Sequence, residues 1–290
     1  MFSYASPKEW TIVIPHYTNA ERTLGLIGAI RSASPENSNP EVVVVDDCSP
    51  DGSGKILAQA QETLDFKLIV NSKNLGFGPA LNRGAAIAMG RLIAFSNSDI
   101  EFDAEYPLCN VLDALSKALA EPDIGAAMPL IFNSALAEIE NLNEIWANRG
   151  LLWLKRKPKR EVNADLEDSV LCGAFFAMRR QDFQKLGGFD PIFAPYFWED
   201  VELGARIEAA GMRVVACGES MVLHRHDGSI GPSAGSKKKW EVMRSNQLKF
   251  TRMWGAEYGV KAGGFWRSLR AFRSFAKREF GLGLEYIGLR

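Results

Sequence analysis

The chain has 290 residues, of which 47% are hydrophobic and 24% are charged, and its net charge is −1. This composition is typical of a globular protein long enough for one large domain or for a domain with an appendage. No stretch reaches the roughly 18 to 20 consecutive apolar residues of a membrane span. The first ten residues also lack the basic and then apolar order of a signal peptide. We therefore expect a cytoplasmic protein.

The near-neutral charge hides a basic C-terminal end. Residues 237–290 contain 13 Lys and Arg against 4 Glu, whereas residues 1–236 contain 21 basic and 31 acidic residues. We expect one domain over 1–236, divided into halves at about 10–103 and 104–236, and a separate basic helical extension over 237–290.

Four cysteines occur without Cys-x-x-Cys spacing, namely Cys48, Cys109, Cys172 and Cys217. Most of them lie in or next to apolar, strand-like runs. We expect small buried side chains in a reducing compartment, with neither a zinc site nor a disulfide framework.

The first hundred residues alternate between apolar runs and segments of helical spacing. The pattern predicts strands at 11–15, 42–45, 67–70 and 92–95, and helices at 20–32, at 54–64 and ending near residue 89. This β-α-β rhythm predicts a mostly parallel sheet with right-handed crossovers.

Polar side chains follow three of these strands: Tyr17 and Asn19, Asp46 and Asp47, and Asn97 and Asp99. Each pair alone is also typical of an ordinary turn. Because parallel strands end at the same edge of a sheet, where open α/β sheets bind ligands, the three pairs together predict a site.

A glycine-bearing loop, residues 71–84, leads into the third helix. Such loops bring backbone N–H groups close to anionic ligands. The spacing of Gly76 and Gly78 does not match a dinucleotide fingerprint, and a Walker lysine is missing. The loop is equally typical of a pocket wall and of a plain helix-entry turn.

The second half predicts a helix at 104–120, strands at 124–132, 170–178, 213–216 and 221–223, and helices at 179–186 and 201–210. Residues 134–162 mix patterns, and we expect an insertion or mobile loop beside the pocket. Its basic run, 155–160, is either a solvated surface or a clamp for an anionic substrate.

Two clusters in this half carry candidate chemistry. Glu199 and Asp200 begin a helix after a group of aromatic residues. They either complement the helix dipole or include a base whose pKa the aromatic surroundings raise. His224 and His226 flank Arg225, and neutral imidazole beside a carboxylate suits Mn²⁺ or Mg²⁺ held together with a diphosphate.

Seven segments, in order, resemble the family 2 glycosyltransferases: 12–17, 43–52, 74–82, 95–99, 187–190, 198–203 and 222–224. The resemblance covers about residues 10–230. It implies the GT-A fold, an α/β fold in which a mostly parallel sheet is flanked by helices and a Rossmann-like nucleotide-binding half joins an acceptor-binding half. It also implies inverting transfer from a nucleotide-diphosphate sugar with a divalent cation, Mn²⁺ or Mg²⁺.

The resemblance also implies roles for individual residues. Asp200 would be the base, with Glu199 beside it, and Asp99 and His224 would bind the metal, with His226 as the substitute for His224. The implied nucleotide-sugar contacts are Pro15, Tyr17, Asp46, Asp47, Asn74, Gly76, Asn82, Asn97, Ser98 and Trp198. In this group, Tyr17 would stack on the base and Asp47 would accept its N3–H, which favours UDP- or dTDP-sugars. Asn97 departs from the acidic first position of the family's Asp-x-Asp motif.

The basic extension has an amphipathic segment at 265–278 that suits an anionic membrane surface, and packing on the domain is an equal alternative. A membrane position at the inner face of the cytoplasmic membrane suits a polyprenyl-linked acceptor, as in bacterial surface polysaccharide synthesis. No nucleic-acid motif accompanies the charge.

Two other functions compete with sugar transfer. One is a non-catalytic sugar-nucleotide-binding scaffold, which Asn97 favours. The other is a nucleotidyltransferase, whose glycine-rich, lysine-bearing opening motif the chain lacks.

Overall fold

The computed structural model describes residues 9–33, 39–133, 138–157, 166–226 and 236–261. The amphipathic segment predicted at 265–278 and part of the basic run at 155–160 lie outside these residues. Among the helices that the described ranges contain, none is both long and apolar enough to cross a membrane.

Strands and helices alternate through the first part of the chain: β1 (Trp10–His16), α1 (Ala20–Ala33), β2 (Glu41–Asp46), α2 (Ser53–Ala60), β3 (Lys67–Val70), α3 (Phe77–Ile87), β4 (Leu92–Ser96) and β5 (Ile100–Glu101). The remaining elements are α4 (Leu108–Ala120), β6 (Ile124–Asn133), β7 (Glu138–Ile139), β8 (Asn143–Asn148), β9 (Leu151–Arg156), β10 (Leu166–Asp168), β11 (Phe175–Arg179), α5 (Arg180–Lys185), α6 (Glu199–Ala209), β12 (Arg213–His224) and α7 (Ser236–Trp254).

The main sheet has the strand order β10-β12-β6-β11-β4-β1-β2-β3, with β5 and β7 attached at its side. β1 lies between β2 and β4 and is parallel to both, and β3 is parallel to β2. β11 runs antiparallel to β4 and β6, whereas β12 is parallel to β6. This confirms the predicted mostly parallel sheet flanked by helices.

The central strands β1, β2 and β4 are buried at nearly every position and mostly apolar, because both faces of the sheet are covered. Alternate residues of β1 enter two different apolar layers. Ile12 and Ile14 pack in the layer that contains Ile27 of α1, and Val13 packs in the layer that contains Leu81 of α3. Burial on both sides fixes the register of β1, since a shift of one residue would exchange the layers.

The structure corrects the prediction for residues 134–162. Within its described part, β8 and β9 form an antiparallel hairpin, so the expectation of a loop was wrong there. Arg149 and Gly150 both have positive φ, the geometry of a tight two-residue hairpin turn. Leu152 is fully buried, so the hairpin belongs to the folded core.

Two strand predictions were wrong in their bounds. The strand expected at 170–178 begins only at Phe175, because residues 172–174 use their backbone groups to contact Met128, Asp200 and Asn97. The strands expected at 213–216 and 221–223 form the single strand β12, whose pairing with β6 shifts register between Cys217 and Met221. A β-bulge of this kind bends a strand without ending it.

The cysteine prediction was correct only in part. All four cysteines are free, but Cys48 and Cys109 are exposed, and only Cys217 is fully buried. Cys48 lies in the loop after β2 with φ of 61°, and a turn position of this kind faces solvent.

The described part of the basic extension packs on the domain. Phe250 of α7 is fully buried and lies in an apolar cluster with Leu152 of the hairpin and Trp198 before α6. Gln247 and Thr251 of the same helix are hydrogen-bonded to the two backbone groups of Leu152. Helix α7 therefore connects the hairpin to the segment that leads into α6.

Candidate active site

The polar ends of β1, β2 and β4 lie side by side at one edge of the sheet. β1 pairs with β2 up to the His16–Asp46 position, and the N–H of Asp47 donates to the carbonyl of His16 at 2.9 Å. The loop after β4 lies on the other side of β1. This is the carboxyl edge, where open parallel sheets bind ligands.

Asp47 organises the glycine-bearing loop. Its Oδ1 atom accepts hydrogen bonds from the side-chain amide of Asn71 at 2.7 Å and from the N–H of Leu75 at 2.8 Å, and its Oδ2 atom accepts from the N–H of Gly76 at 2.8 Å. Asp47 is only 5% exposed. The cost of burying this charge is offset by three donors.

Asp46 instead holds the turn directly after β2, which precedes the glycine-bearing loop in the chain. Its Oδ1 atom accepts from the N–H of Ser49 at 3.2 Å and from the hydroxyl of the same serine. Gly54 approaches the Oδ2 atom of Asp46 so closely that a Cβ at this position would lie 2.4 Å away. The doubled aspartates therefore have different partners, as their positions on opposite faces of the strand end require.

The glycine-bearing loop contacts the segment before α6. The N–H of Phe77 donates to the carbonyl of Pro195 at 2.7 Å, and a Cβ on Gly76 would lie 2.7 Å from Pro195. Asn82 exchanges two 2.8 Å hydrogen bonds with the backbone of Phe189. The first half of the chain is thus attached to the second at two points beside the site.

The other predicted donor contacts differ in exposure. Asn74 is exposed, whereas Pro15, Tyr17, Asn97 and Ser98 are half-buried at the strand ends. Trp198 is largely buried, and its ring lies 5.2 Å from that of Phe250. The accessible aromatic rings of the same segment are the half-buried Tyr196 and Phe197.

Asp99 and His224 lie together, as predicted. Strand β5, directly after Asp99, pairs with the end of β12, so that His224 lies opposite Ile100. The Nε2 atom of His224 is 3.3 Å from the Oδ1 atom of Asp99, and both side chains are buried. The fallback residue His226 lies beside His224, with ring centroids 3.9 Å apart and the rings tilted by 41°.

Glu140 completes this cluster and was missed in the sequence. Its Oε1 atom lies 2.6 Å from Nδ1 of His224, and its Oε2 atom lies 2.6 Å from Nε2 of His226. Nothing in the local sequence distinguishes Glu140 from Glu138, two residues earlier. Its position beside His224 follows from the antiparallel pairing of β7 with β6. The expectation of an insertion or mobile loop over residues 134–162 did not include this pairing.

The charges of the cluster stabilise one another. Burial disfavours the charged imidazolium, but the hydrogen bonds to Asp99 and Glu140 raise the pKa of His224 to about 9. Burial likewise opposes ionisation of Asp99 and Glu140, yet the hydrogen bonds to the histidines lower the pKa of both carboxyl groups below their ordinary values. Both carboxylates are therefore ionised at neutral pH.

The donor atoms of the cluster fit a divalent cation. Carboxylate oxygen suits Mn²⁺ and Mg²⁺, and imidazole nitrogen is a common ligand of transition metals. Asp99 and His224 present an oxygen and a nitrogen at a separation of 3.3 Å, which is close to that of two neighbouring ligands of one ion, about 3 Å. Glu140, His224 and His226 form an alternative set, with ligand atoms within 4.8 Å of one another.

Asp200 lies at the start of α6 as predicted, and Gly173 holds it there. The N–H of Gly173 donates to the Oδ2 atom of Asp200 at 2.7 Å, and Oδ1 accepts from the N–H of Val201 at 2.8 Å. Burial raises the pKa of Asp200 despite these hydrogen bonds. A carboxylate of raised pKa is a stronger base.

Glu199 points into the protein beside α3. It is 6% exposed, its Oε2 atom has no hydrogen-bond partner among the described residues, and its Cγ atom lies near Gly78. Burial and the neighbouring charge of Asp200 raise the pKa of Glu199 well above its ordinary value. Glu199 and Asp200 therefore have different environments although they are adjacent.

The site combines a loop network at the carboxyl edge, an acid–imidazole pair suited to a cation and a carboxylate of raised pKa at the start of α6. Such an arrangement is typical of ligand sites at the carboxyl edge of open α/β sheets. A family model described as glycosyl transferase family 2 matches residues 11–187, and a second, described as the N-terminal domain of galactosyltransferase, matches residues 159–227. The chain therefore belongs to glycosyl transferase family 2, as the motifs predicted.

Individual relatives agree with this assignment. The chain is 23% identical over 281 residues to polypeptide N-acetylgalactosaminyltransferase 4 of Caenorhabditis elegans, with 89% of this chain and 45% of the relative covered. It is 29% identical over 194 residues to the succinoglycan biosynthesis protein ExoO of Rhizobium meliloti, with 67% and 49% covered. The chain spans about half the length of the curated relatives it matches.

A solved structure confirms the GT-A fold. The crystal structure of GalNAc-T7 with UDP, GalNAc and Mn²⁺ superposes with a TM-score of 0.68 at 16% identity, and the match covers 87% of this chain and 49% of the other. At this identity the match shows the shared fold.

Proposed function

We propose that the protein transfers a sugar from a nucleotide-diphosphate sugar to an acceptor hydroxyl, with inversion at the anomeric carbon. The observation that carries this proposal is the convergence of three loops on Gly173 and Ala174. Asp200 is bonded to Gly173, and the N–H of Asn97 donates to the carbonyl of Ala174 at 2.8 Å. Phe77 of the glycine-bearing loop also lies beside Gly173.

Each of these loops supports one part of the reaction. Asp200 would accept the proton of the acceptor hydroxyl as that oxygen attacks the anomeric carbon. Asp99 and His224 would hold a divalent cation, Mn²⁺ or Mg²⁺, which when bound neutralises charge on the departing nucleoside diphosphate. The loop that Asp47 organises would contact the nucleotide.

A UDP- or dTDP-sugar is the donor we favour. A carboxylate has roughly four lone-pair positions, and internal donors use three of those on Asp47. The fourth can accept the N3–H of uracil or thymine. Tyr17, half-buried at the end of β1, would stack on the base.

The acceptor we propose is a glycan or a polyprenyl-linked sugar in bacterial surface polysaccharide synthesis. The name of the relative ExoO, a succinoglycan biosynthesis protein, supports this class. Contact of 237–290 with an anionic membrane would bring the site to such an acceptor. Exposed Trp146 and Trp153 support this contact, because they lie opposite each other on the hairpin and Arg244 of α7 lies over Trp153.

Donor turnover tests the proposal. Purified protein is incubated with a panel of nucleotide sugars, glycan and lipid-linked acceptor mixtures and Mn²⁺, and release of nucleoside diphosphate is measured. We expect release with a UDP- or dTDP-sugar, and loss of release in Asp200→Asn with nucleotide-dependent thermal stabilisation retained. Stabilisation without turnover in any acceptor mixture would favour the scaffold alternative, whereas release of pyrophosphate would favour a nucleotidyltransferase.

A further inference from the structure

Glu140 lies behind His224, on the side of the ring opposite Asp99. The Nδ1 atom of His224 contacts Glu140 at 2.6 Å, and the Nε2 atom faces Asp99 at 3.3 Å. The two carboxylates therefore use the two ring nitrogens of one imidazole. An imidazole bonded in this way at Nδ1 has one orientation of its ring and leaves Nε2 for a second partner.

The protein holds the Glu140 backbone firmly. Its N–H donates to the carbonyl of Ile131 on β6 at 2.9 Å. The next residue, Asn141, is fully buried, and its side chain accepts from the N–H of Ile131 at 2.9 Å and donates to the carbonyl of Pro129 at 2.8 Å. Asn133 adds a 3.0 Å hydrogen bond to the Oε2 atom of Glu140. Glu140 is thus a fixed acceptor.

We propose that Glu140 is a positioning residue that holds His224 with its Nε2 atom toward Asp99, so that these two atoms can bind one divalent cation. This inference rests on the cation site of the proposed function and adds a residue from a part of the chain that the family motifs do not include. In metal sites, a carboxylate behind a histidine ligand fixes the orientation of the ring and increases its basicity. Support of His224 by Glu140 is of particular value in this chain, because Asn97 stands where the family motif has an acidic residue and adds no negative charge to the cation site.

The alternative arrangement makes a different prediction. If the ion lay among Glu140, His224 and His226, then Glu140 and His226 would bind it directly. Two imidazole nitrogens would then coordinate the metal. In the arrangement we propose, one nitrogen coordinates it and His226 is only a second partner of Glu140.

Mn²⁺ binding to the full chain tests the inference. Affinity is measured by electron paramagnetic resonance titration, and coordinated nitrogen is detected from the electron spin echo modulation. We expect Glu140→Ala to weaken Mn²⁺ binding by about 10- to 100-fold. Glu140→Gln should bind more tightly than Glu140→Ala, since an amide oxygen still accepts the Nδ1–H. Glu138→Gln, two residues earlier in β7, is the matched control and should bind as the wild type does.

The outcomes separate this inference from the proposed function. Wild-type affinity in Glu140→Ala would overturn the inference and leave the cation site intact. Two coordinated nitrogens, together with weaker binding in His226→Asn, would overturn it in favour of the alternative cluster. Absence of Mn²⁺ binding by the wild type, with and without UDP, would contradict the proposed cation itself. Thermal melting of each variant shows whether it is folded.

Discussion

The backbone N–H of Gly173 donates a 2.7 Å hydrogen bond to the Oδ2 atom of Asp200. The carbonyl of the next residue, Ala174, accepts from the N–H of Asn97, two residues before Asp99. One dipeptide therefore fixes both the candidate base and the loop of the candidate metal ligand. A displacement of this dipeptide would change the distance between Asp200 and the loop that carries Asp99.

Substitution of Gly173 by alanine tests this connection. A Cβ at this position would lie 3.2 Å from Oδ2 and 3.3 Å from Cβ of Asp200, so Asp200 must move slightly. Because small misplacement of reacting groups is costly, we expect kcat to fall by about 10- to 100-fold, with a much smaller change in Tm. Steady-state kinetics and thermal melting measure the two effects. Gly28→Ala in α1, with open space around its Cβ, is the control; an unchanged kcat in Gly173→Ala would show that the connection is not needed.

The buried carboxyl of Glu199 predicts a pH-dependent difference in stability. Burial raises its pKa in the folded protein well above the ordinary value. At pH values between the pKa of Glu199 in the unfolded protein and its pKa in the folded protein, the folded protein keeps a proton on Glu199 that the unfolded protein has lost. The contribution of Glu199 to stability therefore falls as pH rises through this range. Glu199→Gln has no titrating group at this position, so the variant does not lose this stability as pH rises. We expect the Tm of the variant relative to wild type to increase between about pH 5 and pH 8.

Thermal melting across this pH range measures the effect. Glu121→Gln, an exposed residue at the end of α4, provides the control for removal of one surface charge. A difference in Tm between Glu199→Gln and wild type that stays constant with pH would mean that Glu199 is ionised in the folded protein.

The sequence was sufficient to predict the strands whose burial is complete. β1, β2 and β4 are apolar at nearly every position and end in polar residues, so the strand pattern and the ligand edge agree. Asp99 and His224 were predicted together because the family motifs contain both. Their contact itself depends on the pairing of β5 with β12, which no local pattern shows.

The sequence was insufficient where tertiary contacts override local pattern. Residues 143–156 have partly helical spacing, yet the positive φ of Arg149 and Gly150 and the burial of Leu152 make them a hairpin. Glu140 and Gly173 have no recognisable motif of their own. Their importance comes from the residues that the fold places opposite them, His224 and Asp200.

Asp47 provides a test of the loop that contacts the nucleotide. In Asp47→Asn, one carboxylate oxygen becomes an NH₂ group that faces the donors of Asn71, Leu75 or Gly76. An unsatisfied buried donor costs about 1–3 kcal/mol, so we expect a loss of stability of this size together with weaker nucleotide binding. Chemical denaturation and titration with UDP measure the two quantities. Asp65→Asn, whose side chain is 83% exposed, is the matched control; equal effects in both variants would contradict this role for Asp47.

Asn246 of α7 is buried, and its side-chain nitrogen lies 2.5–3.0 Å from the carbonyls of Phe193, Tyr196 and Phe197. These residues lead directly into the helix that carries Asp200, so Asn246→Ala should loosen the segment before the candidate base. We expect a loss of about 1–3 kcal/mol in stability, faster hydrogen exchange over residues 193–198 and a lower kcat with nucleotide affinity retained. Met243→Ala, an exposed position on the same helix, is the control. Unchanged exchange in this segment would show that α7 packs on the domain without restraining the site.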